Sequence, residues 1–350
     1  MLKLNKAEAL HYVEQNAAVI DALSNPRNPF GTSVWLRHFI GEVVRDDWTL
    51  LVPEAVGDGC SLMLLYVDPE APSRCRSLAN FYTSLYSPLA STAVDRPTAL
   101  VALARDISTA RPRLKTVTFE PLDADSAETT VLGEALVSHG WFVRRYARFG
   151  NWTLPCEGLS FERYMTSRDS QLRNTYQRKA KKLLGSGTIE IATRPEEVDA
   201  AMTAYETIYA QSWKRPEPYP NFARGWAQQC AEQGWLRLGV ARIDDIPIAA
   251  QLWFVYGRRA YIFKLAYDES QSRWSAGTVL TAHMMRHVLE VDRVVEVDFL
   301  SGDDPYKKSW MMQRRERVGL IACNLRLLPG LIAAASEFVG QATARLRARP

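Results

Sequence analysis

Three carboxylates follow one another closely near residue 300. Asp298 alternates with apolar Val297 and Phe299 in a strand-like run, and Asp303 and Asp304 come after a glycine turn. Carboxylates at the end of a strand could accept the proton of an attacking amine, directly or through water. Asp304 and Asp298 are the preferred bases, although Asp303 or Asp304 could equally cap the next helix.

Pro305, Tyr306 and two lysines continue this segment. Pro305 suits the first position of a helix, which favours a capping role for the carboxylate before it. The Tyr306 hydroxyl could take part in proton transfer or make a hydrogen bond in the core. Lys307 and Lys308 could neutralise phosphate on a donor or an acceptor, or lie on a solvated helix face.

Other polar residues could contact an acceptor. Lys264 interrupts an otherwise apolar strand-like run and must reach solvent or a partner, and Gln251 stands on the neighbouring run. Trp213 opens a proline-rich loop at 213–220, which could recognise an acceptor or act as a structural lid. Tyr82 belongs to a stretch rich in aromatic and hydroxyl residues, which could line a pocket or pack as a loop in the core.

Neither metal nor disulfide chemistry is predicted. His283 and His287 are spaced as in some zinc enzymes, but the glutamate of that motif and a nearby third ligand are missing. We expect these histidines on the helix side that faces the sheet. The five cysteines are widely spaced without a C-x-x-C motif, which predicts reduced and mostly buried thiols in a cytoplasmic protein.

The elements that carry these residues form an antiparallel meander followed by a crossover. Strand-like runs at 236–242, 246–256 and 261–267 are joined by tight turns. A polar loop at 268–277 then leads to a helix at 278–290 and a strand at 294–300. The upstream half has helices and strands in a similar order, so the predicted class is α/β (α+β).

The composition is that of an ordinary soluble globular protein. The 350 residues leave room for about two domains, and the net charge of +4 is too mild to imply nucleic acid by itself. The N-terminus lacks the apolar core of a signal peptide, and no run approaches the ~20 apolar residues of a membrane span. We expect a cytoplasmic protein, free or peripheral at the inner membrane face, with no DNA partner. The sequence does not indicate an oligomeric state.

Two segments are strongly basic. Residues 160–184 predict one long helix whose basic face could be a solvated bridge or a platform for a phosphate-bearing ligand, such as tRNA or a nucleotide sugar. No pattern of stacking aromatics accompanies these charges, which disfavours general nucleic-acid binding. Residues 331–348 form an amphipathic basic tail, and the sequence ends with arginines at 345, 347 and 349.

Several of these motifs together resemble one known family. Tyr-Asp-Glu-Ser at 267–270, Ser-Ala-Gly-Thr-Val-Leu at 275–280 and the segment 297–310 are similar to the CelD-type branch of the GNAT acyltransferase superfamily, which is related to the Fem peptidyltransferases. Asn-Pro-Phe at 28–30, Trp35 and the segment 82–89 resemble its N-terminal signature. The resemblance covers about residues 25–325.

This resemblance implies two tandem GNAT-like domains. Each would be a mixed, mostly antiparallel sheet flanked by helices, and the first would be degenerate. We expect an N-terminal domain at 1–155, a basic connecting helix at 156–187, a catalytic domain at 188–327 and the basic tail at 328–350.

A GNAT-like fold also implies acyl-CoA as a co-substrate, without a metal. The strands at 261–267 and 294–300 would splay apart, so that the backbone of Leu265, Ala266 and Tyr267 could bond to the pantetheine arm. Such an edge is a template for an extended pseudo-peptide.

The pyrophosphate of that donor would lie at the start of the following helix, where N–H groups and the helix dipole favour anions. Ser275, Gly277 and Thr278 are residue types suited to this approach, and Arg273 could add a charge-assisted contact. The loop contains less glycine than is usual for the superfamily. Aminoacyl-tRNA, as in the Fem relatives, is therefore an alternative donor.

The resemblance places a tyrosine acid at Tyr306, next to the departing thiolate. We therefore expect an N-acyltransferase that moves an acyl group from acyl-CoA to a primary amine. The acceptor would be an amino sugar or an amino-acid-like molecule, with envelope polysaccharide biosynthesis as the suggested setting. The alternatives are a Fem-like peptidyltransferase that uses aminoacyl-tRNA, and a non-catalytic binding module with the same fold.

Overall fold

A computed structural model describes residues 1–52, 61–90, 96–212 and 214–347. Up to residue 155 its elements are β1 (Leu2–Leu4), α1 (Lys6–Gln15), α2 (Ala17–Leu23), α3 (Ser33–Val43), β2 (Thr49–Val52), β3 (Ser61–Leu62), β4 (Leu65–Val67), β5 (Arg74–Ser77), β6 (Leu89–Ala90), α4 (Arg96–Thr109), β7 (Thr116–Asp123), α5 (Ala127–Ser138) and β8 (Trp141–Pro155). After it come α6 (Phe161–Thr166), α7 (Ser170–Leu184), β9 (Gly187–Ala192), α8 (Val198–Gln211), α9 (Phe222–Glu232), β10 (Leu236–Ile243), β11 (Ile246–Tyr256), β12 (Arg259–Tyr267), α10 (Ala276–Glu290), β13 (Glu296–Ser301), α11 (Pro305–Trp310), β14 (Gln313–Asn324) and α12 (Leu328–Arg347).

The chain forms two compact units. Unit 1 comprises Met1–Gly150 together with Arg315–Pro350, and unit 2 comprises Asn151–Arg314. The chain therefore leaves unit 1 within strand β8 and returns to it within strand β14. The domain boundaries predicted at 155, 187 and 327 stay predictions.

Unit 1 contains a mixed sheet with the strand order β1-β2-β4-β5-β7-β14-β8. Strands β5 and β7 run parallel, whereas β1–β2, β2–β4, β4–β5 and β14–β7 are antiparallel pairs. Its core includes Leu103 and Leu136 from helices α4 and α5, packed with Phe119 and Trp141 from the sheet. Each helix thus buries one apolar stripe against a strand layer.

Unit 2 contains the sheet that carries most of the predicted site residues. Its order is the end of β8 (residues 151–155), then β13, β12, β11, β10 and β9. Only β12 and β13 run parallel within it; the other four pairs are antiparallel. Asp244 and Asp245 both have positive φ in the β10–β11 turn, as do Gly257 and Arg258 in the next turn, which matches the twist of tight hairpins.

Helices cover both faces of this sheet. Trp253 is buried in a core shared with helices α6, α7 and α10. The next residue, Phe254, points to the opposite face and meets the Trp226 ring of α9 edge-on, with ring centroids 5.4 Å apart. The predicted class, a large and mostly antiparallel sheet flanked by helices, is confirmed.

The single long helix predicted at 160–184 is wrong. Helix α6 ends at Thr166 and α7 begins at Ser170. The Asp169 carboxylate accepts a hydrogen bond from the Leu172 N–H at 2.7 Å, so it caps a new helix instead of continuing the old one. Arg168 turns inward and donates to the Met311 carbonyl at 3.0 Å, which fixes the break in place.

The described cysteines, Cys75, Cys156, Cys230 and Cys323, are free and buried, and Cys60 lies outside the described residues. Among the residues that the structure describes, no helix combines the length and apolar character of a membrane span. Nor do the described histidines, cysteines and acids form a group that could hold a metal ion.

Candidate active site at a split in the sheet

Strands β12 and β13 are neighbours over a short distance only. Their described ladder consists of three parallel pairs, Arg259↔Glu296, Ala260↔Val297 and Tyr261↔Asp298. Strand β12 continues to Tyr267 beyond the last of these pairs. The strands therefore part as predicted, and the backbone of β12 beyond Tyr261 faces a wedge in the sheet, where an extended ligand can bond to it.

A bulge in β12 bends this strand away. Its register with β11 shifts between the pairs Leu252↔Lys264 and Trp253↔Ile262, which leaves Phe263 as the extra residue. A bulge of this kind kinks a strand and increases its local twist.

Asp298 shapes the other side of the split. Its Oδ1 accepts hydrogen bonds from the Leu300 N–H and from Asn151 Nδ2, both at 2.6 Å. Leu300 has a φ of +54°, and the register with β8 shifts between Asp298 and Ser301. The buried carboxylate thus stabilises a strained strand end, and Asp298 is not among the residues that line the adjacent cavity.

A cavity of about 550 Å³ lies at the split. Of the predicted site residues it is lined by Gln251, Leu265, Tyr267, Ser275, Gly277, Thr278, Asp304 and Tyr306, and also by Lys214, Asp268, Gln271, Ser272, Ala276, Thr281 and Trp310. The predicted residues Ala266, Arg273, Lys264, Lys307 and Lys308 are not part of this lining. Tyr82 is a buried residue of unit 1, and Trp213 lies outside the described residues.

The N-terminus of helix α10 forms one wall. Ser275 precedes it in the left-handed conformation, with a φ of +50°, and makes no side-chain capping bond. The Val279 N–H donates to the Ser275 carbonyl at 3.1 Å, and the N–H groups of Ala276, Gly277 and Thr278 come before this first bond of the helical ladder. Such N–H groups, together with the helix dipole, attract phosphate.

This helix start is held firmly by the sheet. Gln251 Nε2 donates to the Gly277 carbonyl at 3.2 Å and to Thr281 Oγ1 at 2.8 Å, while its own oxygen accepts from Trp253 Nε1 at 2.9 Å. Further along, a Cβ on Gly239 would lie 2.6 Å from Met284 Sδ, so glycine lets helix α10 approach strand β10 closely.

The loop before α10 is held by the basic face of α7. Lys179 Nζ donates to the Arg273 carbonyl at 2.6 Å, and Lys182 Nζ lies 4.7 Å from the centre of the Trp274 ring. Two of the cations that the sequence suggested for a phosphate platform are thus engaged in positioning the loop. The Arg273 side chain itself is exposed.

Asp303 is engaged in a surface ion pair. Its carboxylate accepts from Arg314 Nε at 2.9 Å and Nη2 at 2.6 Å, and from Trp152 Nε1 at 2.8 Å. The hydrogen bonds from Arg314 and Trp152 lower the pKa of Asp303, which makes it a poor proton acceptor.

Asp304 and Tyr306 stand together at the cavity. Asp304 occupies the cap position of α11, yet its side chain makes no capping bond; its Oδ2 lies 3.5 Å from Lys307 Nζ. The carboxylate is largely exposed and faces the cavity. Loss of water around the Tyr306 hydroxyl and the charge of Asp304 raise the pKa of Tyr306, so this phenol keeps its proton at neutral pH and can donate it.

Lys307 holds the turn that carries these two residues. Its buried Nζ donates to the Ser301 carbonyl at 2.5 Å and to the Phe299 carbonyl at 3.3 Å. Burial lowers its pKa. Lys308, by contrast, is exposed.

Two further lysines, both partly buried, lie on β12 and in the loop after α8. Lys264 Nζ pairs with Glu217 Oε1 at 2.5 Å, and Lys214 Nζ donates to the Leu265 carbonyl at 2.5 Å. Burial, and then the nearby charge of Lys264, lower the pKa of Lys214 to about 8. The sequence singled out the proline-rich loop but favoured its tryptophan instead of Lys214. The presence of a lysine in that loop was the only feature of the sequence that pointed to this residue.

Comparison with known proteins agrees with this geometry. Residues 170–308 match the family model of the acetyltransferase (GNAT) domain. Among curated proteins, none matches this chain in sequence.

Three solved structures share the fold at low identity. FemX is 12% identical, with a TM-score of 0.60 over 95% of this chain and 100% of FemX. The C-terminal domain of a putative lysylphosphatidylglycerol synthetase from Agrobacterium fabrum is 12% identical, with a TM-score of 0.58 over 95% of each chain. L-PGS from Bacillus licheniformis is 10% identical, with a TM-score of 0.56 over 95% of this chain and 96% of that one.

The chain therefore shares its fold with FemX and with the synthetase domain, and residues 170–308 are similar to a GNAT acetyltransferase domain. The strand split, the amide-rich helix start and the acid–phenol pair all lie within this domain.

The pKa of Lys214 can be measured by NMR after labelling the lysines with ¹³C-methyl groups. We expect one signal to titrate near the value of about 8, well below the ordinary 10.5, and to vanish in Lys214→Arg. Because the unfolded chain holds this proton up to a higher pH than the folded one, the contribution of Lys214 to stability should rise from about pH 8 to about pH 10.5. A Lys214 signal that titrates near 10.5 would contradict the burial of this amine.

Proposed function

We propose that unit 2 is an acyl-CoA-dependent N-acyltransferase. The observation that carries the proposal is the parting of β12 and β13 at a cavity that is bordered by the N-terminus of α10. Beyond its last pair with β13, strand β12 borders the cavity with Leu265 and Tyr267, and such an edge suits the amides of a pantetheine arm. The first N–H groups of α10 suit the pyrophosphate.

The acid–phenol pair supports transfer to an amine. The lone pair of a neutral amine attacks the thioester carbonyl carbon, and Asp304 takes the amine proton, directly or through water. The C–S bond then breaks, and Tyr306 gives its proton to the departing sulfur. Asp304 is the better base candidate, because the Asp298 carboxylate already accepts two hydrogen bonds and Asp303 is paired with Arg314.

The acceptor side is built by the loop after α8. Lys214 lies on the cavity wall, and Lys264 pairs with Glu217 of the same loop. These polar groups suit an amino sugar or an amino-acid-like acceptor, and envelope polysaccharide biosynthesis is the setting that we propose. Because CoA esters are cytoplasmic metabolites, we place the reaction in the cytoplasm.

A second candidate donor is aminoacyl-tRNA. The loop before α10 contains few glycines, and Arg178 and Lys181 remain exposed on helix α7. A row of cations of this kind can follow a phosphate backbone. The fold shared with FemX is compatible with this alternative.

The donor site can be tested with Ser275→Asp. Aspartate tolerates the left-handed conformation and favours a helix start, so the protein should stay folded, whereas its charge should repel pyrophosphate. We expect the Kd for acetyl-CoA, measured by calorimetry, to rise about tenfold or more, a loss of about 1.4 kcal/mol.

The matched control is Ser275→Asn, which has the same shape without the charge and should bind acetyl-CoA nearly as the parent does. Equal affinity of both variants would argue against phosphate at the helix start. Failure of the parent to bind any CoA ester would favour aminoacyl-tRNA or a non-catalytic module.

The acid role can be tested with Tyr306→Phe. The phenol is partly exposed, so its removal should leave the fold intact, while thiol release from acyl-CoA should fall by about 10²-fold or more in kcat. A thioester whose thiolate leaves readily does not need this proton. The turnover of such a donor should therefore fall much less in Tyr306→Phe. Equal losses with both donors would show that Tyr306 acts on structure only.

The tRNA alternative predicts tight, strongly salt-dependent binding to charged tRNA. Replacing Arg178 and Lys181 by alanine should then lower the slope of log K against log salt by roughly two. Filter binding over a salt series measures this slope. Weak binding that the substitutions leave unchanged would remove tRNA as a donor.

A further inference from the structure

Helix α12 of unit 1 has an exposed apolar stripe. Leu328 is 71% exposed, Ile332 63% and Phe338 64%. These residues recur at helical spacing with exposed Leu331 and Val339. Most single exposed apolar residues need no explanation, but a stripe along a helix marks an interaction surface.

The opposite side of the helix is fixed to unit 1. Ala334 is buried, and a Cβ on Gly330 would lie 2.0 Å from the Asn324 carbonyl, so only glycine allows this close approach. Glu337 forms an ion pair with Arg144 on the same side. One side of the helix is therefore held against the rest of unit 1, and the apolar stripe on the other side is exposed to solvent.

A basic cavity of about 310 Å³ lies beside this helix. It is lined by Arg74, Cys75, Arg76, Lys115, Thr116, Thr118 and Ile321 from the strand side, and by Ile332, Ala333, Ser336 and Glu337 from α12. The parallel register aligns Arg74 with Thr116 and Arg76 with Thr118, which sets cations next to hydroxyl groups. Guanidinium, ammonium and hydroxyl groups in one cavity are the donors that a phosphate group needs.

The charges of this cavity are not balanced. Within the described parts of the chain, Arg74, Arg76 and Lys115 form no ion pair with a carboxylate. The one acid of the lining, Glu337, is paired with Arg144. These three cations therefore give the cavity a net positive charge, which favours the binding of an anion.

The cavity and the stripe meet at Ile332, which lines the cavity and is also strongly exposed. A ligand that fills both must carry a phosphate next to an apolar part. Interfacial helices use this combination, since the apolar face enters the bilayer while adjacent cations bind the head groups.

We propose that unit 1 docks on an anionic phospholipid surface, with the apolar stripe of α12 in the interface and a lipid phosphate in the basic cavity. The arginines at 345, 347 and 349 add to the positive charge of this segment. A second copy of the chain is a poorer occupant. A twofold contact through the stripe would bring two sets of unbalanced cations together.

The test is flotation of the full-length protein with vesicles of phosphatidylcholine, alone or mixed with phosphatidylglycerol. We expect binding to the mixed vesicles only, weakened by added salt. Arg74→Ala with Arg76→Ala should lower the partition coefficient about 30-fold. Leu331→Ser with Phe338→Ser should lower it about tenfold or more.

The matched control is Arg163→Ala with Arg178→Ala, which removes the same charge from exposed positions of unit 2 and should leave vesicle binding nearly unchanged. Circular dichroism melts check that every variant is folded. Equal loss in the control and in the cavity variant would overturn the proposed site.

Three other results would also overturn the proposal. The first is no binding to either vesicle. The second is dimerisation, seen by light scattering and abolished by the Leu331→Ser and Phe338→Ser pair. The third is a thermal shift with inorganic phosphate that needs Arg74 and Arg76 and occurs without vesicle binding, which would assign the cavity to a soluble phosphorylated ligand.

Discussion

The separation of two neighbouring strands is the constraint on which the site depends. Strands β12 and β13 pair at three positions and then part, because Phe263 forms a bulge in one and Asp298 fixes a bend in the other. Backbone groups along a parted strand need partners, since buried unpaired polar groups are costly. Lys214 donates to one such group, the Leu265 carbonyl, and both Leu265 and Tyr267 line the cavity. The cavity is thus a direct result of backbone geometry.

Buried and partly buried lysines connect segments that are distant in the sequence. Lys264 joins β12 to the loop at Glu217, Lys214 joins that loop to Leu265, and Lys307 closes the turn after β13. Each ammonium loses water and gains carbonyl or carboxylate oxygens in return. These contacts tie the walls of the cavity to one another.

Local patterns predicted much of unit 2, and long-range partners decided the rest. The tight turns followed from contiguous residues, because backbone preferences act over a few positions. The parting of the strands was expected from the resemblance to the GNAT fold, and the helix predicted from residue 278 begins at Ala276. The role of Asp303 could not be predicted in this way, since its partner Arg314 lies eleven residues away and either acid could cap the helix. The break at Asp169 was missed because charged residues on both sides favour a helix. Lys214 could not be chosen from its loop, since its burial depends on contacts with β12.

The close contact at Gly239 has a consequence for ligand affinity. This glycine allows Met284 to seat helix α10 against β10, while Gln251 holds the first turn of the same helix through the Gly277 carbonyl. The first amides of α10, which belong to the proposed donor site, are therefore preorganised, so a phosphate bound there would meet donors that need little ordering. A side chain at position 239 would have to displace the Met284 and Leu280 side chains of α10, so a residue remote from the cavity helps to set the position of the helix that borders it.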